Sequence, residues 1–262
     1  MWVADMRQTI EMVVTVKAYP SISTRYGETV CVAGVRTDTR EPEWVRLYPV
    51  QYRDLDYARR FSKYQRLTLD VLEASDARPE SLKPVIDTIE LGGTLNTADG
   101  WAERRGLVEP LMIGSMCQLR ALQASEGRSL GVFRPATVDG LTWEKVGDEW
   151  VGQKQAVVDQ PSLFFPGKSG LERIPYRFRY QYHCRDAGCP GHSQTIVDWE
   201  IAQLYRSLRD RGDAEPDVLR KIKDKWLGQM CSDRRDTAFF VGNQFRNPDG
   251  FLVLGVFWPP RS

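Results

Sequence analysis

Thr29-Val-Cys-Val-Ala-Gly-Val-Arg36 and Trp44-Val-Arg-Leu-Tyr-Pro-Val50, joined by the polar stretch from Thr37 to Pro42, decide the fold class. Both runs are short, rich in β-branched and aromatic residues and bounded by turn formers, so they read as two strands of a hairpin. Upstream, Met12-Val-Val-Thr-Val16 has the same character and ends at Tyr19-Pro20. Downstream, Gln65 to Leu72 alternates as a further strand. Successive strand side chains face opposite ways, which sets Trp44, Arg46 and Tyr48 on one face and Val45 and Leu47 on the other. An arginine between two aromatics can stack bases and neutralise a phosphate, so these three are candidate nucleic-acid contacts, with core or rim packing as the competing reading.

Working outward, Asp54 to Tyr64 reads as a short amphipathic helix with Arg53, Arg59, Arg60 and Lys63 nearby, and Leu91 to Gly100 as turn chemistry. Ser115-Met-Cys-Gln-Leu-Arg-Ala-Leu122 and Ser129-Leu-Gly-Val-Phe-Arg-Pro135 read as further strands, which makes Cys31 and Cys117 small buried hydrophobes. Trp143 and Trp150 flank a Gly-Asp turn, consistent with a hairpin. Pro161, Pro166, Gly167 and Gly170 argue against regular structure in the stretch that holds them. The expected organisation is a β-rich region over 1–152, a linker or long loop over 153–170 and a C-terminal α+β domain over 171–262.

The two runs quoted first, with Ser129 to Pro135, resemble the pattern of bacterial proteins that carry a dual OB-containing domain. The resemblance spans roughly residues 12 to 150; where the familiar form has a glycine pair before the Cys and Arg-Pro after the Trp, this chain has Tyr26-Gly27-Glu28 and Arg46-Leu47-Tyr48-Pro49. It implies two small five-stranded barrels of a kind that often binds oligonucleotides, and a setting in bacterial genome maintenance or antiviral defence.

Composition bounds the rest. With 262 residues, 42% of them hydrophobic, the chain has side chains enough for a packed core, and disorder throughout is excluded. Lys and Arg number 36 against 35 Asp and Glu, so any attraction to nucleic acid must come from a local patch. The absence of an apolar run of membrane-span or signal-peptide length leads to the expectation of a cytoplasmic protein with no membrane partner. No GxGxxG or Walker pattern occurs.

The sharpest chemical signal lies at His183-Cys-Arg-Asp-Ala-Gly-Cys-Pro-Gly-His192, which holds both histidines and two of the five cysteines. Cys184, Cys189 and His192 on a Gly-Pro-Gly knuckle supply thiolate and imidazole ligands of the kind that zinc prefers in tetrahedral geometry. Cys231, after an expected helix, is the first choice for the fourth ligand and His183 the second. Four closed ligands imply structural zinc; an iron–sulfur cluster is the competing occupant, and buried thiols with surface histidines are the reading without metal.

The strand leading into the knuckle, Arg173-Ile-Pro-Tyr-Arg-Phe-Arg-Tyr-Gln-Tyr182, puts Tyr176, Phe178, Tyr180 and Tyr182 on one face and Arg177, Arg179, Gln181 and His183 on the other. Arg177, Arg179 and, beyond the strand, Arg185 are candidate phosphate contacts; pairing with Asp198 and Glu200 is the inert alternative. A helix over about 195–211 capped by Ser193, a second from Pro216, and a hairpin of Phe239-Phe-Val with Phe251 to Trp258 complete the chain. Asp198, Glu200 and Asp236 are the candidate ligands of a divalent ion for a metal-dependent nuclease or nucleotide-processing enzyme, although Asp198 and Glu200 on one helix would point about 200° apart. The expected function is nucleic-acid binding, to DNA or RNA, with structural zinc; the alternatives are that enzyme and a protein-interaction module.

Overall fold

The computed structural model describes residues 7–23, 26–150, 152, 154 and 170–261. The prolines and Gly167 on which the expected linker rests lie outside the described residues. Strand β1 (Gln8–Lys17) pairs with both β3 (Gly27–Arg36) and β5 (Gln65–Glu73). With β4 (Glu43–Val50) beside β3, and β6 (Ser81–Pro84) between β4 and β5, the ladder closes into a five-stranded OB-like barrel. Short β2 (Ser21–Ser23) extends β3, and β7 (Glu90–Thr94) extends β5. Closure leaves fewer free strand edges to aggregate.

The barrel interior is filled by Ile10, Met12, Val14, Val32, Val45, Leu47, Leu67 and Leu69. The opposite face of β1 is buried too: Val13 and Val16 pack with Leu130, Val132, Phe240 and Leu254 of the C-terminal unit. A strand covered on both sides reads as a continuous apolar run, which is why Met12 to Val16 shows no alternation.

The C-terminal unit holds two sheets. One runs β14 (Asn247–Phe257), β13 (Ala238–Gln244), β9 (Leu130–Phe133), β8 (Met112–Ile113); the other runs β10 (Thr137–Lys145), β11 (Tyr176–His183), β12 (His192–Thr195). Because β9 and β10 pair with strands beyond residue 170, and β8 pairs with β9, the segment after residue 112 belongs with the C-terminal unit, and the expected division at 152 does not separate the sheets. The second barrel that the resemblance implied is replaced by these two sheets. Between them and helices α3 (Trp199–Asp210) and α4 (Glu215–Lys223) lies an aromatic core in which Tyr180 stacks on Phe239 with ring centroids 4.6 Å apart. The aromatic face of β11 is core as expected: Phe178, Tyr180 and Tyr182 are buried.

Several local expectations are corrected. Residues 54–64 form no helix; two single 3₁₀ turns, Tyr52–Asp54 and Tyr57–Arg59, occupy the region, too short to bury an apolar stripe. Of the stretch Leu91 to Gly100 read as turns, 91–94 lie in β7, while Asp99 and Gly100 take left-handed φ at the start of helix α1 (Ala98–Val108). The stretch after Ser115 is helix α2 (Met116–Glu126) and not a strand. Ser115 caps it by accepting from the Gln118 N–H, and Met116 and Leu119 bury one face at helical spacing. Trp143 pairs with Phe178 across β10 and β11, and Trp150 donates to the carbonyl of Leu171, so the two tryptophans do not form a hairpin with each other. Residues 192–195 are taken by β12, so α3 starts later than expected and is capped by Asp198, not Ser193. Among the described residues no helix is long and apolar enough to cross a membrane.

Candidate metal centre

Cys117, Cys184, Cys189 and His192 bring their ligand atoms within 4.8 Å of one another. A tetrahedral zinc ion with Zn–S near 2.3 Å and Zn–N near 2.0 Å requires ligand–ligand edges of about 3.5 to 3.8 Å. The observed 3.4 Å from Cys117 Sγ to His192 Nε2 is close to such an edge. Three elements build the group. The end of β11 delivers Cys184, the start of β12 delivers His192 with Cys189 on the knuckle between them, and the first turn of α2 delivers Cys117.

The local electrostatics suit a cation held by thiolates. Burial pushes the Cys117 thiol up to about 12, so its thiolate form needs a positive ion beside it. Burial opposes the Cys189 thiolate as well. The N–H groups of Cys184 and Gly191 and the neighbouring thiols outweigh that and hold its pKa below the ordinary range. The backbone N–H of Cys184 reaches Cys189 Sγ at 3.2 Å. Burial, with the charges of Arg120 and His183, keeps the His192 pKa low and its imidazole neutral, the form that ligates. His192 also stacks on Tyr182 at 5.0 Å, which fixes the ring.

Cys231 is not part of the group. Its Sγ donates to the carbonyl of Trp226 at 3.3 Å and lies 3.8 Å from the Tyr180 hydroxyl, packed against the aromatic core. His183, the second choice, is outside the group and shares a 2.7 Å bond between Nδ1 and Asp139. Reading Cys117 as a strand thiol concealed the fourth member of the cluster; the Ser115 cap followed by apolar spacing of three is the signal that would have put it on a helix turn.

The candidate nucleic-acid residues fall into two groups. Arg46 is 2% exposed and turned inward, donating through Nη2 to the Ser129 carbonyl at 3.0 Å and hydroxyl at 2.9 Å. A phosphate does not reach it there. Trp44 packs edge-on against Phe240 and Tyr48 edge-on against Tyr26, both half-buried, so the three residues of that face are occupied by packing. Arg177 and Arg179 instead lie on the outer face of β11 and share Glu144, at 2.5 and 3.6 Å. The Nε of Arg179 is buried without a hydrogen-bond partner. Arg185 is exposed on the knuckle, with no ion pair among the described residues, and lines a hollow of about 180 Å³ with Met112, Ile113, Gly114 and Arg134.

The three acids of the enzyme reading do not form a divalent-ion site. Asp198 is buried and binds Lys63 Nζ at 2.7 and 2.9 Å, and Glu200 reaches the same Nζ at 3.3 Å. Both side chains converge because Asp198 is the extended cap residue and not part of the helix, which corrects the 200° expectation. Asp236 lies elsewhere, held by Arg134 at 2.7 Å and Arg105 at 2.8 Å.

Residues 112–262 match the family model described as Domain of unknown function (DUF8757), and residues 8–110 match Domain of unknown function (DUF8758). The two models meet at the same place as the sheets, and neither is the dual OB-containing family that the sequence resembled. No curated protein matches the chain. A solved structure described as a murine DNA binding protein bound with ds DNA covers 97% of this chain and 97% of its own at 9% identity and a TM-score of 0.32, too low a likeness to transfer anything to this chain.

Proposed function

For a chain that belongs to the DUF8757 family, whose model takes up residues 112–262, we propose nucleic-acid binding on a scaffold held by one structural zinc ion. Cys117, Cys184, Cys189 and His192 hold the ion, and all four positions are filled by protein, so it supplies stability and not an open site for chemistry. The observation that carries the reading is the place of this cluster. It clamps the end of β11 and the start of β12 onto α2, and so fixes the strand whose outer face bears Arg177 and Arg179 and whose knuckle bears Arg185. Rigid placement of cations along an extended strand suits a repeating phosphate backbone. The OB-like barrel supports the same reading at the level of fold alone.

Fluorescence anisotropy with a labelled oligonucleotide, repeated from about 50 to 200 mM salt, tests this. Phosphate contact predicts that affinity falls steeply and linearly in log–log form across that range. Binding that ignores salt, or no binding at all, contradicts the proposal.

A further inference from the structure

Around Trp258 the chain gathers Lys225, Arg234, Arg235 and Arg261, none of which has an ion pair among the described residues. Beyond β14 the chain runs as Trp258-Pro-Pro-Arg261 and pairs back on Arg234 to Asp236. Arg235 bridges to Pro260, Arg261 N–H donates to the Arg234 carbonyl at 2.8 Å, and Asp236 N–H to that of Pro259 at 2.9 Å. This brings Arg234, Arg235 and Arg261 to one corner, and among the described residues none of them has a carboxylate within ion-pair distance. The guanidinium of Arg235 and the ammonium of Lys225 lie 4.7 and 4.5 Å from the Trp258 ring centroid. The acids nearby are largely engaged. Asp236 serves Arg105 and Arg134, Asp224 serves Arg220, and Glu200 serves Lys63, while Asp233 is exposed.

Two irregular pieces of backbone shape this corner. Residues 224–229 form a π-helical turn that buries Trp226 in the core and presents Lys225, a geometry that recurs at functional sites. Asp99, Gly100 and Trp101 all take left-handed φ, of 48°, 65° and 68°, a strained conformation for a bulky side chain, and Trp101 there braces Trp258 edge-on at 5.6 Å. Between them, Trp258, Leu204 and Met230 line an open groove of about 500 Å³ whose charged lining is Lys225, Lys221, held by Asp213 at 2.8 Å, and the carboxylates Glu200 and Asp224. The groove wall is apolar and partly aromatic, its own charges are mixed, and the excess of positive charge comes from Arg234, Arg235 and Arg261 beside it.

We infer that this corner is a binding site for single-stranded nucleic acid, with Arg234, Arg235 and Arg261 on successive phosphates and a base stacked in the groove against Trp258. The inference rests on the nucleic-acid reading above and deepens it. Stacking needs an unpaired base, which is why the strand is single, and the arginines lie far from the β11 ladder in sequence and on separate elements. Stacking on aromatic rings beside a basic track is the general mode by which proteins hold single strands with little regard to sequence.

The test is anisotropy with a labelled single-stranded oligothymidylate, its oligouridylate counterpart and a duplex of the same length, on the full chain. The Arg234→Gln/Arg235→Gln/Arg261→Gln variant should lose at least about tenfold in affinity, with the log–log salt slope reduced by about 2, since each phosphate contact on a single strand contributes about 0.7. Trp258→Leu should lose about tenfold with the slope unchanged. Should that variant fail to fold, photocrosslinking of an iodouracil-bearing strand to the wild-type chain should label the peptide that contains Trp258. Wild-type affinity for the duplex equal to that for single strands, or a triple-arginine variant within twofold of wild type while Arg177→Gln/Arg179→Gln/Arg185→Gln loses binding, overturns the inference and leaves the nucleic-acid reading standing. Absence of binding by the wild-type chain overturns both.

Discussion

Cys117 Sγ lies 3.4 Å from Nε2 of His192, although 75 residues separate them. The contact joins the start of α2 to the start of β12, so the cluster ties the segment just after the barrel to the basic sheet. A metal in that position is a tertiary crosslink, and its removal should loosen α2 from β11 and β12 together.

The knuckle tolerates only glycine at its last turn. Gly191 has φ of +83°, and a Cβ there would come within 2.9 Å of His183 Nε2. Gly191→Ala should therefore cost about 1–2 kcal/mol in backbone strain and push His183 or the knuckle aside. The expected result is zinc surrendered to a competing chelator at lower concentration than from the wild-type chain. Unchanged metal affinity would show that the knuckle does not depend on this turn.

Arg46 holds the barrel to the C-terminal sheet instead of meeting a ligand. Its Nη2 donates twice to Ser129, whose hydroxyl in turn donates to Glu80 at 2.6 Å. Arg46→Met should lower stability by about 1.5–3 kcal/mol in urea unfolding, because two hydrogen bonds from a charged donor to Ser129 are lost, although the Ser129 carbonyl keeps the Asn243 N–H. Oligonucleotide affinity of the folded variant should stay within about twofold of wild type. A variant of normal stability that has lost binding would return Arg46 to the interface.

A second buried network gives a pH signature. Lys17 is held over the Tyr52 and Trp199 rings at 4.0 and 4.9 Å, and burial, helped by the charge of Lys63, lowers its pKa from 10.5 to about 8. Between pH 8 and 10.5 the unfolded chain binds the proton that the folded chain has released, so stability rises with pH across that window. Below it both forms are protonated, and the cost of burying the charge is constant. Lys17→Met should be more stable than wild type near neutral pH and lose the rise above pH 8. Parallel urea-unfolding curves for both proteins at every pH would show that Lys17 does not titrate in this way.

How much of this was legible in the sequence depends on how local the signal is. The barrel strands and the aromatic face of β11 follow from β-branched runs and from alternation, which are local. Three of the four clustered ligands share one ten-residue window, so Cys184, Cys189 and His192 stand out from spacing alone. Cys117 did not, because its place is set by tertiary packing of a short helix whose apolar residues also suit a strand. Arg46 misled for a related reason: alternation says which residues share a face but not whether water or another sheet covers it. The left-handed run at Asp99 to Trp101 has no sequence signature beyond Gly100, since non-glycine residues adopt it only when the surrounding packing compels them.

Elemental analysis of the purified chain beside its Cys117→Ser and Cys231→Ser variants tests the central claim most directly. The account predicts one zinc per chain in the wild type and in Cys231→Ser, and loss of zinc with a lowered melting temperature in Cys117→Ser. A wild-type chain without metal, or a Cys117→Ser variant that keeps its zinc while Cys231→Ser loses it, would contradict the site described here.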